Sequence, residues 1–277
     1  MAETEQQQQQ QQNKEQSPFL TVYSFDRDEK KYSLTQFVTK LQFRLRYAGI
    51  PYVNGFGSRQ QAPKAKMPYV RIMEGDSAGE LAGDSALICE RLVAMGKMED
   101  VNKDLLPEER ATDLCLRAMV EDRMYYLTLY ERWYDNYDSF RDQGPFVGIP
   151  GGIRHVVCSL AYQYAKLILY FQGTGRYTSD EVEGFKAQAM GALADFAEAA
   201  RKKRSNGSSD GTVKKPFWIL GGEKPTEADF TLFGYLSGML VTPTQPATTA
   251  LIKSHPSLVD YIARIHRTYF SDLQGLV

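Results

Sequence analysis

Residues 34–52 read LTQFVTKLQFRLRYAGIPY, a stretch with the features of a helix that begins and ends at defined residues. Its apolar residues recur at the spacing of one helical face: Phe37, Val38, Leu41, Leu45 and Ala48. Thr35 is a residue type that caps helix N-termini. Gly49, with Pro51 just beyond it, is a typical helix stop. The stretch therefore predicts a helix that follows a cap at Thr35.

Short strand patterns lie on both sides of this helix. The run FLTVYSF from Phe19 is aromatic and β-branched, which favours a buried strand. Further strand patterns occur at 52–56, at 67–72 and near Leu81, and Asp84 and Ser85 precede an apolar helix over 86–95. We expect residues 18–97 to form one α/β domain with the order strand, helix, strand, strand, strand, helix.

The remainder of the chain has a different character. After a polar linker at 98–107, strand patterns largely stop, and helical periodicity dominates residues 108–277. Residues 201–216 are basic, rich in Gly and Ser and without periodicity, which predicts a mobile surface loop. Residues 1–17 contain a run of Gln, and their composition predicts a disordered tail.

Composition and charge exclude several classes of function. With 33 Lys and Arg against 34 Asp and Glu, the net charge of −1 provides no field for nucleic acid. The chain lacks an apolar run of the roughly 20 residues that span a bilayer and a signal peptide, so we expect a cytoplasmic protein without a membrane anchor. Three widely spaced cysteines argue against disulfides. The three histidines lack the spacing of a metal pair, so no metal site is expected.

Four segments together resemble the glutathione S-transferase superfamily, and in particular the branch of the failed-axon-connections proteins and the metaxins. They are the helix segment 34–52, APKAKMPYV at 62–70, AGDSALI at 82–88 and LGGEKPTEADF at 220–230. The resemblance covers residues 18–272. It implies a thioredoxin-like α/β N-terminal domain, an all-α C-terminal domain, glutathione as the cofactor or co-substrate, and a homodimer.

The resemblance also implies a glutathione-binding site. Met67-Pro68 stands where the family has a cis-proline, next to backbone that pairs with glutathione as an added strand. Asp84 and Ser85 stand at a helix N-terminus, where the γ-glutamyl group is held. Lys64 and Lys66 are candidates for the glycyl carboxylate. Plain N-capping by Asp84 and Ser85 is compatible with this role.

The glutathione thiol requires activation, because its pKa near ~8.5 leaves little thiolate at pH 7. Thr35 is the first candidate for the hydroxyl that stabilises the thiolate, with Ser33, Tyr23 and Tyr32 as alternatives. Relatives have Ser at this cap and Cys three residues later, where this chain has Val38. The substitution removes the possibility of Cys-x-x-Cys redox chemistry, and Thr35 itself is alternatively a cap without substrate contact.

The electrophile site is expected between the two domains, where aromatic residues are dense at the start of the helical domain. Tyr126, Tyr130 and Trp133 are the candidate pocket residues, although such a stripe also forms cores. The sequence predicts a glutathione-dependent enzyme that acts on a small apolar electrophile, by conjugation or by glutathione-assisted cis–trans isomerisation. A non-catalytic interaction module of the same fold, as in metaxin-like proteins, is the alternative.

Overall fold

The computed structural model describes residues 19–26, 28–74, 79–144, 146, 148–206 and 215–276. The chain divides into two units. The first contains residues 1–29 and 41–100, and the second contains residues 30–40 and 101–277. The predicted disordered tail at 1–17 lies outside the described residues.

The first unit contains a mixed four-stranded sheet with the order β2-β1-β3-β4. Strand β1 is parallel to β2 and antiparallel to β3, which is antiparallel to β4. Helix α1 contributes its residues from position 41 onward, and α2 follows β4. The bounds are Leu20–Ser24 for β1, Val53–Phe56 for β2, Tyr69–Ile72 for β3, Glu80–Gly83 for β4, Gln36–Tyr47 for α1 and Ser85–Ala94 for α2.

The core of this unit lies between the sheet and its helices. Along β1 the residues alternate between buried and half-buried positions, as expected for a strand with one face on a core. Gly49 follows α1 with φ +67, a conformation that favours glycine, so the predicted helix stop is confirmed. The buried apolar side chains of the unit include Leu20, Val22, Leu41, Leu45, Val70, Ile72, Ile88 and Leu92.

All regular secondary structure among the described residues of the second unit is helical. Helix α8, Glu227–Val241, is buried along almost its whole length, from Ala228 to Met239. The helices are α3 Pro107–Ala118, α4 Tyr125–Tyr130, α5 Tyr137–Gln143, α6 Gly151–Gln172, α7 Ser179–Asn206, α8 Glu227–Val241, α9 Pro246–Lys253 and α10 Pro256–Tyr269.

The helical stretch that begins at Pro107 is interrupted by two π-helical turns. They are Met119–Met124, between α3 and α4, and Glu131–Asp135, after α4. A π-helical turn inserts an extra residue and so changes which side chains face the interior. The simple periodicity of the sequence does not show where these turns occur.

Residues 30–40 belong to the helical unit, whereas the sequence predicts them as part of the N-terminal domain. Gly234 and Gly238 of α8 allow the close approach. A Cβ at Gly234 would lie 2.7 Å from the Gln36 carbonyl oxygen, and one at Gly238 would lie 3.1 Å from Gln36 Cβ. Tyr32 packs against Phe270, with ring centroids 5.4 Å apart. These contacts join distant parts of the chain, which local sequence patterns do not reveal.

Three further elements differ from the sequence predictions. Helix α7 continues to Asn206, although the loop was expected to begin at Arg201. An ion pair of 2.7 Å between Arg201 and Glu198, one turn apart, supports this extension. Residues 207–214 of the predicted mobile loop lie outside the described part. The short helices α5 and α9 carry no clear periodicity and were not predicted.

Three absences concern the described residues only. There, no helix is both long and apolar enough to cross a membrane. The three cysteines, Cys89, Cys115 and Cys158, are free thiols. The same part of the chain contains no cluster of three or more His, Cys, Asp or Glu side chains with the arrangement of a metal site.

Candidate functional site

The antiparallel pair of β3 and β4 brings together the residues that the sequence assigns to glutathione. Tyr69, the first residue of β3, lies opposite Gly83, the last residue of β4. Met67 and Pro68 precede Tyr69, and Asp84 and Ser85 follow Gly83, so the two dipeptides lie at the same end of the strand pair. The Met67-Pro68 peptide bond is cis, as the resemblance implies.

The N-terminus of α2 is capped by Asp84. Its carboxylate accepts the N–H groups of Ala86 at 3.1 Å and Leu87 at 3.4 Å. Asp84 has φ +80, an uncommon conformation for a residue with a side chain. Ser85 is the first helical residue and is 5% exposed. The helix therefore receives its cap from Asp84 and does not require the Ser85 hydroxyl for it.

The loop that carries Lys64 and Lys66 lies beside this helix start. A Cβ at Gly83 would be 3.6 Å from the Lys64 backbone nitrogen, which places Lys64 close to the residue before Asp84. Both lysine side chains are exposed. Two solvated cations thus lie next to the cis-proline and to the N-terminus of α2, an arrangement that favours an anionic ligand.

Tyr23 lies on the same part of the sheet. It is paired with Tyr69 in the β1–β3 register, and the two rings stack with centroids 4.6 Å apart. Burial is the main cause that raises the pKa of Tyr69, and the neighbouring Tyr23 raises it further. The Tyr69 hydroxyl donates to Gln61 Oε1 at 3.4 Å. Tyr23 is half-buried and belongs to the first unit together with Met67 and Ser85.

Thr35 directly precedes α1 and belongs to the helical unit, as does Ser33. The Thr35 N–H donates to Ser33 Oγ at 3.0 Å, and its carbonyl oxygen accepts from the Val38 N–H at 2.9 Å. The Ser33 side chain is 3% exposed, whereas Thr35 is half-buried. Of these two hydroxyl residues, Thr35 is the more accessible, and Ser33 supports the turn before it.

Tyr32, the remaining hydroxyl candidate, is part of the core of the helical unit. Its hydroxyl lies 2.7 Å from His266 Nδ1, and its side chain is 4% exposed. Burial lowers the pKa of His266, which favours the neutral imidazole as the partner of the phenol. This interior contact gives Tyr32 a structural role.

The aromatic residues predicted for the electrophile pocket occupy different environments. Trp133 is 7% exposed and packs edge-on against Phe140, with centroids 4.7 Å apart. Tyr130 is buried, and its hydroxyl donates to the Tyr177 carbonyl at 3.2 Å. Tyr126 is half-buried, and burial raises its pKa. Trp133 and Tyr130 thus have core contacts, and Tyr126 retains exposed surface.

Sequence reasoning missed a group of polar residues in the interior of the helical unit. Glu131 is 1% exposed and pairs with Lys186 at 2.6 Å. It also accepts the Ala247 N–H at 3.0 Å, at the N-terminus of α9. The adjacent Arg132 donates to Gln245 at 3.1 Å. The signal in the sequence was the pair of charged residues Glu131 and Arg132 between the aromatic residues Tyr130 and Trp133.

Two models of known protein families match parts of this chain. The model of the glutathione S-transferase N-terminal domain matches residues 36–140. The model of the glutathione S-transferase C-terminal domain matches residues 214–265. The chain belongs to the glutathione S-transferase family. The family predicted from the sequence is thereby confirmed.

Two curated proteins are similar to this glutathione S-transferase family member. An isoprene-epoxide glutathione S-transferase from a Rhodococcus species is 27% identical over 263 residues, which cover 90% of this chain and 99% of that protein. The Failed axon connections protein of Drosophila melanogaster is 23% identical over 268 residues, which cover 91% of this chain. The matched part spans only 58% of the fly protein.

Similar solved structures confirm the fold. A glutathione transferase family member from Pseudomonas fluorescens, crystallised with two glutathione molecules, matches with a TM-score of 0.54 at 14% identity and covers 92% of this chain and 93% of its own. FzlA from C. crescentus matches with a TM-score of 0.55 at 13% identity and covers 93% of this chain and 95% of its own. The fold, a thioredoxin-like α/β unit with a helical unit, is as predicted.

Proposed function

We propose that this chain is a glutathione transferase that conjugates glutathione to a small apolar electrophile. The observation that carries the proposal is the common location of Met67, Ser85 and Lys64 at one end of the β3–β4 pair. Family membership supports it, since this is where the resemblance assigns the tripeptide.

In this proposal, the backbone of Met67 pairs with glutathione as an added strand, next to Pro68. Ser85 and the free N–H groups at the start of α2 hold the γ-glutamyl carboxylate, and Asp84 lies near its ammonium. Lys64 or Lys66 holds the glycyl carboxylate. The capping of α2 by Asp84 supports this assignment, because it leaves the Ser85 hydroxyl available for a ligand.

We propose Thr35 as the donor that stabilises the thiolate. Lowering the thiol pKa by two units requires about 2.7 kcal/mol. One hydrogen bond to a charged group contributes about 1.5–3 kcal/mol, and the helix N-terminus adds about 0.3–1 kcal/mol. Thr35 has both features, because it is a half-exposed hydroxyl residue at the start of α1. Ser33 and Tyr23 are the alternative donors.

We propose conjugation as the reaction and the epoxide of a small alkene as the first substrate to test. The similarity to an isoprene-epoxide glutathione S-transferase along almost its entire length supports this choice. Of the three aromatic residues predicted for the electrophile pocket, Tyr126 is the one that we propose to line it. Cis–trans isomerisation uses the same thiolate and differs in outcome, since it returns glutathione unchanged.

A non-catalytic interaction module of the same fold is the second candidate. Two positions favour it: Thr35 replaces the Ser of relatives, and the buried Val38 replaces a Cys. Retention on immobilised glutathione, followed by mass spectrometry of a mixture with glutathione and isoprene monoepoxide, separates the two functions. Retention with formation of the conjugate supports the transferase. Retention without conjugate supports a module that binds glutathione. Absence of both contradicts the proposed glutathione site and supports a module that acts through partners alone.

We also propose a homodimer in which α6 pairs with α6 of a second copy. Each of seven large apolar side chains on α6 is more than half exposed: Ile153, Val156, Leu160, Tyr164, Leu167, Tyr170 and Phe171. Together these side chains expose an apolar area on the order of several hundred Å², which is more than monomers usually expose in one patch. This area approaches the roughly 800 Å² that each partner buries in a standard interface. In a dimer with a two-fold axis, this apolar surface of one copy packs against the same surface of the second copy.

A further inference from the structure

Residues 58–66 form the loop that carries the two lysines proposed for the glycyl carboxylate, and this loop belongs entirely to the first unit. Lys64 and Lys66 are both exposed, and neither ammonium group forms an ion pair within the described part of the chain. Two such cations are available to a ligand carboxylate. An exposed loop holds them in one place only if other contacts fix its backbone.

Ala65, which lies between the two lysines, has an uncommon backbone conformation. Its φ is +51, in the left-handed region that residues with a Cβ rarely adopt. Its N–H donates to the Ala62 carbonyl at 3.0 Å, which closes a turn at this point. A conformation of this kind persists where the surrounding contacts determine it. The loop therefore has a defined shape at the lysines, and contacts elsewhere in the loop must maintain it.

The Gln61 side chain connects the start of the loop to the sheet. Its Oε1 accepts from the Ser58 N–H at 3.2 Å, from the Ser58 hydroxyl at 3.2 Å and from the Tyr69 hydroxyl at 3.4 Å. The backbone closes the same turn, because the N–H groups of Gln61 and Ala62 both donate to the Ser58 carbonyl at 3.2 Å. Gln61 thus joins this turn to a side chain of β3, three positions before Lys64.

Tyr69 is the fixed end of this connection. Its side chain is 3% exposed and stacks on the Tyr23 ring. Gly57 allows the phenol to approach the loop, since a Cβ at Gly57 would lie 2.7 Å from the Tyr69 hydroxyl oxygen. The Gly57 N–H donates to the Ser24 carbonyl at 2.9 Å, which ties the start of the loop to β1. Burial raises the pKa of Tyr69, so the phenol keeps its proton and can donate to Gln61.

We propose that Tyr69 and Gln61 are positioning residues that hold the two loop lysines in place and so make binding selective for a free carboxylate at the glycyl end of glutathione. The inference rests on the proposed function and deepens it, because it names the residues that control this end of the ligand. Both act through the loop and not by contact with the ligand. The γ-glutamyl end, assigned to Ser85, does not depend on them.

Glutathione and its glycyl monoethyl ester test this inference, because the ester keeps the rest of the tripeptide and removes one charge. Calorimetric titration should show that the wild type prefers glutathione by about tenfold, as for one charge-assisted hydrogen bond. Tyr69→Phe removes the hydroxyl and keeps the ring stack, and Gln61→Leu removes the acceptor. Each variant should reduce the preference to about threefold or less, with the affinity for the ester unchanged. The double variant Lys64→Gln, Lys66→Gln gives the preference without either cation.

Tyr52→Phe is the matched control, since it removes a half-buried phenol of the same unit, whose oxygen accepts from Arg46 Nε at 3.0 Å. It should keep the wild-type preference. A full preference in both Tyr69→Phe and Gln61→Leu would overturn the inference and leave the proposed glutathione site intact. Equal losses of affinity for the two ligands would also overturn it, because the two residues would then have a general structural role.

The wild type alone separates this inference from the proposed function. If it binds glutathione and the ester equally well, the lysines do not recognise the glycyl carboxylate, and the inference is wrong although glutathione is still bound. If it binds neither ligand, glutathione recognition itself fails, and the proposed function fails together with the inference.

Discussion

The Gln36 carbonyl oxygen lies so close to Gly234 that a Cβ on Gly234 would be only 2.7 Å away from it. Gly234 is buried on helix α8, and the Lys40 backbone nitrogen would lie 2.8 Å from the same Cβ. The first turns of α1 therefore approach α8 at backbone distance. This contact holds Thr35, the proposed thiolate donor, on the helical unit.

Gly234→Ala should destabilise the protein by about 1–3 kcal/mol, because the added methyl group meets backbone atoms that cannot rotate away. Urea unfolding measures the change. Gly191→Ala is the matched control, since Gly191 lies in helix α7 with open space around its Cβ position. The control should be neutral or more stable by up to about 1 kcal/mol. Equal stability of the two variants would show that α1 moves away from α8 without cost.

Ser85→Ala should weaken glutathione binding by about 1.5–3 kcal/mol, the range for a hydrogen bond to a charged group. The fold should be retained, because Asp84 still caps α2. Calorimetric titration with glutathione gives the affinity, and thermal unfolding gives the control. Unchanged affinity would remove Ser85 from the proposed site, whereas a large loss of stability would show that its role is structural.

Thr35→Val should raise the pKa of the bound glutathione thiol by about one to two units, equivalent to roughly 1.4–2.7 kcal/mol. The side-chain shape is retained and only the hydroxyl is lost, so binding through Met67 and Ser85 should persist. Ultraviolet absorbance of the thiolate against pH measures the shift. Ser33→Ala and Tyr23→Phe are the companion variants, and a shift in one of them with none in Thr35→Val would transfer the role to that residue.

Leu160→Glu together with Tyr164→Glu should convert the proposed dimer to a monomer, because two charges would enter the centre of the apolar α6 surface. Light scattering with size-exclusion chromatography measures the mass. Leu114→Glu is the control, since Leu114 is also an exposed apolar residue but lies on α3. A wild-type protein that is monomeric at micromolar concentration would rule out α6 as a dimer interface.

Asp229 should make stability fall as pH rises from about 4 to 7. Burial raises its pKa from 3.8 to about 7, although hydrogen bonds from Thr226, Ile219 and Tyr261 oppose the shift. The folded state thus binds the proton more tightly than the unfolded state, and the stability from this group is lost as pH increases through that interval. Urea unfolding at several pH values measures the slope, and Asp229→Asn should remove it. An unchanged slope in this variant would assign the dependence to other groups.

The sequence by itself predicted the features that depend on neighbours along the chain. The stop of α1 at Gly49 is recognisable from adjacent residue types, because helix stops are local. The cis-proline at Met67-Pro68 was expected from the family resemblance. Met67 and Ser85 could be placed together only because the family resemblance gave the strand order. With that resemblance, the fold could be predicted throughout the matched region.

Only the tertiary structure decided which side chains are core and which are available for chemistry. Trp133 and Tyr126 belong to the same aromatic segment, yet one is buried against Phe140 and the other retains exposed surface. The hydrogen bond from Arg132 to Gln245 starts from a π-helical turn and joins residues 113 positions apart in the sequence. The physical reason is that burial and hydrogen-bond partners come from distant segments, and a local pattern contains no information about which segments will meet.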